Sequence, residues 1–137
     1  MPPIALPPPQ LRALERLVGT WAVHGDRVEG TVRFDWMEGG MFLVQHVELH
    51  QGRLPIRGIE YIGFDQERGS LRSHYMDTAG VHRAYTWELD GDTLRIWLGD
   101  RGSESCFEGR FAADGNSYSG AWQWPGGGYE ATLTRLD

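Results

Sequence analysis

The chain contains no lysine. Its 13 basic residues are all arginine, set against 19 Asp and Glu, and the formal charge is −6 at pH 7. Without a basic stripe to neutralise phosphates, nucleic acid is excluded as a partner. Cysteine is nearly absent too. The one residue, Cys106, rules out an intramolecular disulfide and a cysteine-built zinc cage, and it points to a reducing, cytoplasmic setting. No run of about 18 apolar residues is present to cross a membrane. The opening stretch MPPIALPPPQ lacks a basic segment and is too rich in proline for a signal peptide, so residues 1–9 read as an extended arm. The five histidines (His24, His46, His50, His74 and His82) are scattered, with no His-x-His pair and no Glu at ligand spacing. No metal site and no cofactor are expected from them. A Gly-x-Ser-x-Gly nucleophile elbow is missing as well.

What is present describes a small globular domain. The 137 residues are 40% hydrophobic and 12% aromatic, with six Trp, enough to build one core over residues 10–137. Leu11, Leu14, Leu17 and Val18 give residues 10–18 one apolar face, which predicts a short helix ended by Gly19. Beyond it, β-rich runs alternate with turn signals such as EGG at 38–40, DGD at 90–92, DGN at 114–116 and PGGG at 125–128. Ten strands follow, near 20–25, 30–36, 41–49, 57–64, 71–77, 81–89, 93–98, 106–112, 117–124 and 128–136. Sequential hairpins without long crossovers favour an all-β, up-and-down antiparallel barrel.

Two-residue turns fix which side chains share a face. A turn at Glu38-Gly39 would pair Phe34 with Leu43, giving an inner set of Val32, Phe34, Trp36, Leu43, Gln45 and Val47. A turn at Asp90-Gly91 would pair Trp87 with Leu94 and align Arg83, Tyr85 and Trp87 on one face. A turn near Asp114-Gly115 pairs Phe111 with Tyr118 and collects Phe107, Gly109, Gly120, Trp122 and Trp124. The strand carrying His74 can face either way, because DTAG at 77–80 closes with either parity. This inner face is aromatic but carries polar tips, and Gly109 and Gly120 are expected to leave room in it. An apolar cavity with a few polar groups is the usual make-up of a small-molecule site.

Gly19-Thr20-Trp21, at the junction of helix and first strand, resembles the Gly-x-Trp signature of lipocalins and their calycin relatives. With MEGGMFL at 37–43, YIGFDQERGSL at 61–71 and DTAG at 77–80, the chain is similar to a family of small bacterial lipocalin-like barrels of uncharacterised function. That resemblance implies a Trp plugging the closed end of a barrel beneath an N-terminal helical segment. More distantly the chain resembles fatty-acid-binding proteins and nitrobindin-type haem barrels. Nitrobindin-like proteins ligate haem through a late His, whereas the last His here is His82. Fatty-acid-binding proteins hold a carboxylate with an Arg-x-Tyr pair on the last strand, and the one such pair here is Arg83-Ala84-Tyr85 on a middle strand.

The expected ligand contacts are Trp36, Gln45, Tyr61, His74, Arg83, Tyr85, Trp87, Tyr118 and Trp122. An Arg83 on the inner face would need an internal carboxylate, Glu60 or Asp77, or else an acidic ligand, or the register is different. The first expectation for function is binding of a small, largely hydrophobic molecule with an acidic or hydroxyl group, by a monomer or homodimer. A cyclase or isomerase using His74, Tyr85 or Arg83 is the alternative, and haem or nitric-oxide binding is a second. A docking role for the proline-rich arm is also open.

Overall fold

The computed structural model describes residues 6–137, and residues 1–5 of the expected arm lie outside them. Pro9–Arg12 form a single α-helical turn, α1, with Pro9 at a position where its missing N–H costs nothing. Ala13–Leu17 continue as a 3-10 helix instead of the α-helix expected to residue 18. The leucine spacing explains the difference. Leu11, Leu14 and Leu17 recur every three residues, and a 3-10 helix has three residues per turn, so all three stack on one side. Each is fully buried.

Ten strands follow: β1 (Gly19–Gly25), β2 (Glu29–Trp36), β3 (Phe42–Gln51), β4 (Leu54–Asp65), β5 (Ser70–Asp77), β6 (His82–Asp90), β7 (Thr93–Leu98), β8 (Cys106–Phe111), β9 (Ser117–Trp124) and β10 (Gly127–Arg135). Each pairs antiparallel with its sequence neighbour, and β1 also pairs with β10, which closes the barrel. This is the expected up-and-down barrel, and its architecture is consistent with a calycin-like fold. Among the described residues no helix is long and apolar enough to cross a membrane.

Two hairpins differ from the expected pairing. Phe34 faces Gln45 in place of Leu43, and Trp87 faces Ile96 in place of Leu94. Each register is shifted by two residues, so the side-chain parity is unchanged and the inner faces are as expected. The Phe111–Tyr118 pair is found where expected. Strands β3 and β4 are longer than their hydrophobic runs suggest, because a turn at Gly52-Arg53 extends pairing to Gln51 and Leu54. Strand β4 pairs with β5 only from Gly58 onward, which leaves an edge where Pro55 is tolerated.

The helical segment closes one end of the barrel. Trp21 lies beneath it, fully buried, and its indole N–H donates to the Leu17 carbonyl at 2.8 Å. The Arg135 guanidinium stacks 4.3 Å from the Trp21 ring and donates to the Val18 and Arg16 carbonyls at 2.6 and 2.7 Å. It thereby satisfies the carbonyls that the end of a helix leaves unpaired. Gly19 makes this junction possible. Its φ of +129° is disfavoured for side-chain-bearing residues, and a Cβ there would sit 2.8 Å from Arg135 Nη1.

Candidate functional site

Above the Trp21 plug, the barrel encloses a cavity of about 500 Å³. It stays hollow because its two sides are built from side chains of unequal size. Val23 on β1, Val32 on β2, Val47 on β3 and Ala131 on β10 are short, and they share the lumen with Trp87, Phe107 and Trp122 on β6, β8 and β9. The glycines do not supply the space. Gly109 faces Gly120 across β8 and β9, and Cβ atoms there would lie 2.6 Å from the Phe107 ring and 2.1 Å from the Glu108 carbonyl oxygen. The missing side chains let ring and backbone approach closely, and neither residue lines the cavity. At the mouth, Leu54, Val81 and Trp124 are exposed and also line the cavity, giving it an apolar rim.

Five of the nine expected contact residues line this cavity: Gln45, Tyr85, Trp87, Tyr118 and Trp122. The other four are placed elsewhere. Trp36 is on the inward parity but lies at the closed end, where its indole N–H donates to the Glu15 carboxylate of the helical segment. Tyr61 and His74 are partners across β4 and β5, and their neighbours Glu60 and Tyr75 are the residues that line the lumen. Alternation therefore turns Tyr61 and His74 outward, and His74 is exposed. Arg83 shares the parity of Tyr85 but stands at the start of β6, exposed, donating to the His82 carbonyl at 2.9 Å. Position resolves the charge problem: the guanidinium reaches solvent and needs neither Glu60 nor Asp77 as a counter-ion.

The polar centre of the lumen is Glu60. Gln45 faces it across β3 and β4 and donates to Oε1 at 2.7 Å. Ser73 on β5, fully buried, donates its hydroxyl to Oε2 at 2.6 Å and accepts the Trp87 indole N–H at 2.9 Å. Burial pushes the Glu60 carboxyl up from 4.5 to about 7, although the donors of Ser73, Trp87 and Gln45 favour the charged form. The same burial, with the Glu60 charge adding to it, raises Tyr85 to about 12. Tyr75, Tyr118 and Tyr129 are also held above 10, chiefly by desolvation. All four phenols are therefore neutral hydrogen-bonding groups at ordinary pH.

Glu60 entered the sequence reading only as a partner for Arg83. The signal that finds it is the Gly52-Arg53 turn, where Gly52 has φ +59°. A two-residue loop there pairs Gln51 with Leu54 and hence Gln45 with Glu60, which puts Glu60 inside and Tyr61 and His74 outside. Among the described residues no histidine lines the cavity, so the His ligation of the haem-barrel resemblance has no source there. Among the described residues no group of three or more His, Cys, Asp or Glu is placed to hold a metal ion. Scanned against protein-family models and curated proteins, the chain finds no match.

Proposed function

We propose that this chain binds a small, largely hydrophobic molecule in the lumen of its barrel. The observation that carries this reading is the cavity of about 500 Å³ between short aliphatic and large aromatic walls. That volume is in the usual range for small-molecule sites, and so is the ratio of many apolar walls to a few polar groups. The reading keeps the calycin-like kinship, a cytoplasmic setting and a monomer or homodimer as parts of the proposal.

The test is binding of N-phenyl-1-naphthylamine, a neutral apolar fluorophore, to the parent protein and to Ala131→Trp. Ala131 lies on the lumen wall between β1 and β9, so an indole there fills the cavity. Saturable binding with a fluorescence rise is expected for the parent, with loss in the variant. No saturable binding, or equal binding by both proteins, would sink the reading.

One observation favours a second reading, an enzyme acting on a hydrophobic molecule. A carboxyl whose pKa lies near 7 is suited to general acid–base work. Glu60 and Tyr85 would carry it, in place of His74 and Arg83. Conversion of a bound ligand that Glu60→Gln abolishes without loss of binding would favour this reading over simple binding.

A further inference from the structure

The charge of the lumen is the reverse of what Arg83 suggested. Among the described residues no Arg or His lines the cavity; the charged residues that do are Glu60 and Asp77. Asp77 is committed to its own turn. Its Oδ1 accepts the Ala79 and Val81 backbone N–H groups, each at 3.0 Å, and its Oδ2 accepts the Tyr75 hydroxyl at 3.1 Å. Glu60 differs. Its two oxygens each take one hydrogen bond, from Gln45 and Ser73, and the nearby Trp87 indole N–H, committed to Ser73, adds to their pull; an ionised carboxylate accepts about four. The capacity left over belongs to a group that lines the cavity. Aromatic side chains share the same lumen, with Trp87, Tyr85 and Trp122 on β6 and β9, and their π faces attract cations. A carboxylate ligand would meet an acidic residue and no cation. An ammonium would meet a hydrogen-bonded carboxylate and aromatic walls, with its hydrocarbon part toward the apolar rim of Leu54, Val81 and Trp124.

We infer that the lumen selects a hydrophobic amine, its nitrogen seated on Glu60 and its apolar body filling the barrel. This rests on the lumen-binding reading and names the ligand class for it.

The experiment compares dodecylamine, dodecan-1-ol and dodecanoate by isothermal titration calorimetry at pH 8. The proteins are the full chain, Glu60→Gln, Arg83→Ala and the blocked Ala131→Trp. The three probes share a tail and differ in headgroup. The parent is expected to bind the amine about tenfold more tightly than the alcohol, with dodecanoate weakest. In Glu60→Gln the amine's advantage should fall to within about threefold of the alcohol, while alcohol binding persists and shows that the barrel is intact. Arg83→Ala should leave all three affinities unchanged. Loss of amine binding in Ala131→Trp would place it in the lumen, as opposed to adsorption on an acidic surface.

Dodecanoate matching or exceeding the amine, or an amine preference that survives Glu60→Gln, overturns the headgroup inference and leaves lumen binding standing. Failure of all three probes to bind the parent overturns both.

Discussion

Glu60 should make the stability of this barrel fall as pH rises, contrary to the usual behaviour of a folded-state carboxylate. The residue is 6% exposed, and burial raises its carboxyl from 4.5 to about 7. Between those values the folded chain holds a proton that the unfolded chain has released. Raising the pH through this window therefore favours unfolding. The contribution of the neutral carboxyl is complete below about pH 4.5 and is lost as pH passes through about 7. At about 1.4 kcal/mol per pH unit, the whole effect is on the order of 3 kcal/mol, most of which lies between pH 5 and pH 8. The assay is urea unfolding of the parent and of Glu60→Gln at both pH values, followed by tryptophan fluorescence. Every other titratable group is common to the two proteins and cancels in their difference. The lumen tyrosines Tyr75, Tyr85, Tyr118 and Tyr129, all raised above 10, stay neutral throughout. The parent should lose roughly 2–3 kcal/mol relative to Glu60→Gln on going from pH 5 to pH 8. A difference that is the same at both values, or that moves the other way, refutes the assignment of a buried, desolvated carboxyl.

Trp21→Ala removes the plug of the closed end, a fully buried ring that also stacks under Arg135, and should cost about 3–5 kcal/mol in urea unfolding. Parent-like stability in that variant would mean the helical segment closes the barrel without it. Gly120→Ala should cost at least about 3 kcal/mol or prevent folding, since its Cβ would fall 2.1 Å from the Glu108 oxygen and 2.5 Å from the Gly109 Cα. Gly91→Ala is the contrast: φ there is +60° with open space around it, so only the backbone penalty of about 1–2 kcal/mol is expected. Circular dichroism and thermal melting separate these outcomes.

The architecture could be read from the sequence because strand alternation and turn residues act locally. Even where a turn differs from expectation, longer at Glu38-Gly39 and one residue later at Asp90-Gly91, the pairing slips by two residues, and a period of two forgives that. The lumen was harder to read, for two physical reasons. Parity says which face a side chain takes but not its height, so Trp36 and Arg83 have the inward parity yet lie at the plug and at the rim. The segment Gln51 to Ile56, with its Gly and Pro, looks like a loop, yet it is a tight turn flanked by paired strand. That turn sets the parity of β4 and β5 together, which is why Tyr61 and His74, expected inside, lie outside, while Glu60 lines the lumen. The cavity itself depends on Val23, Val32, Val47 and Ala131 being short where Trp87, Phe107 and Trp122 are long, a relation among residues about a hundred positions apart in sequence.

A carboxyl that costs roughly 3 kcal/mol at pH 8 is a large fraction of the stability of an ordinary domain. Of its two donors, Gln45 can be removed with it, and the fully buried Ser73 hydroxyl would lose its acceptor, a cost of about 1 kcal/mol set against the gain. Gln45 uses its amide on Glu60, and Ser73 keeps the Trp87 indole N–H whatever stands at position 60. The double variant Gln45→Leu/Glu60→Met therefore removes the carboxyl and its amide partner together and preserves the Ser73–Trp87 hydrogen bond. Replacing buried polar partners by apolar groups of similar volume is often neutral or stabilising by about 1–4 kcal/mol. The double variant should gain stability at pH 8, gain less at pH 5, where Glu60 is already largely neutral, and lose the preference for dodecylamine over dodecan-1-ol. A variant that is more stable and has lost its headgroup selectivity would assign the Glu60 network to the ligand. One that is less stable than the parent at pH 8 would assign it to the fold, with Glu60 holding β3, β4 and β5 in register.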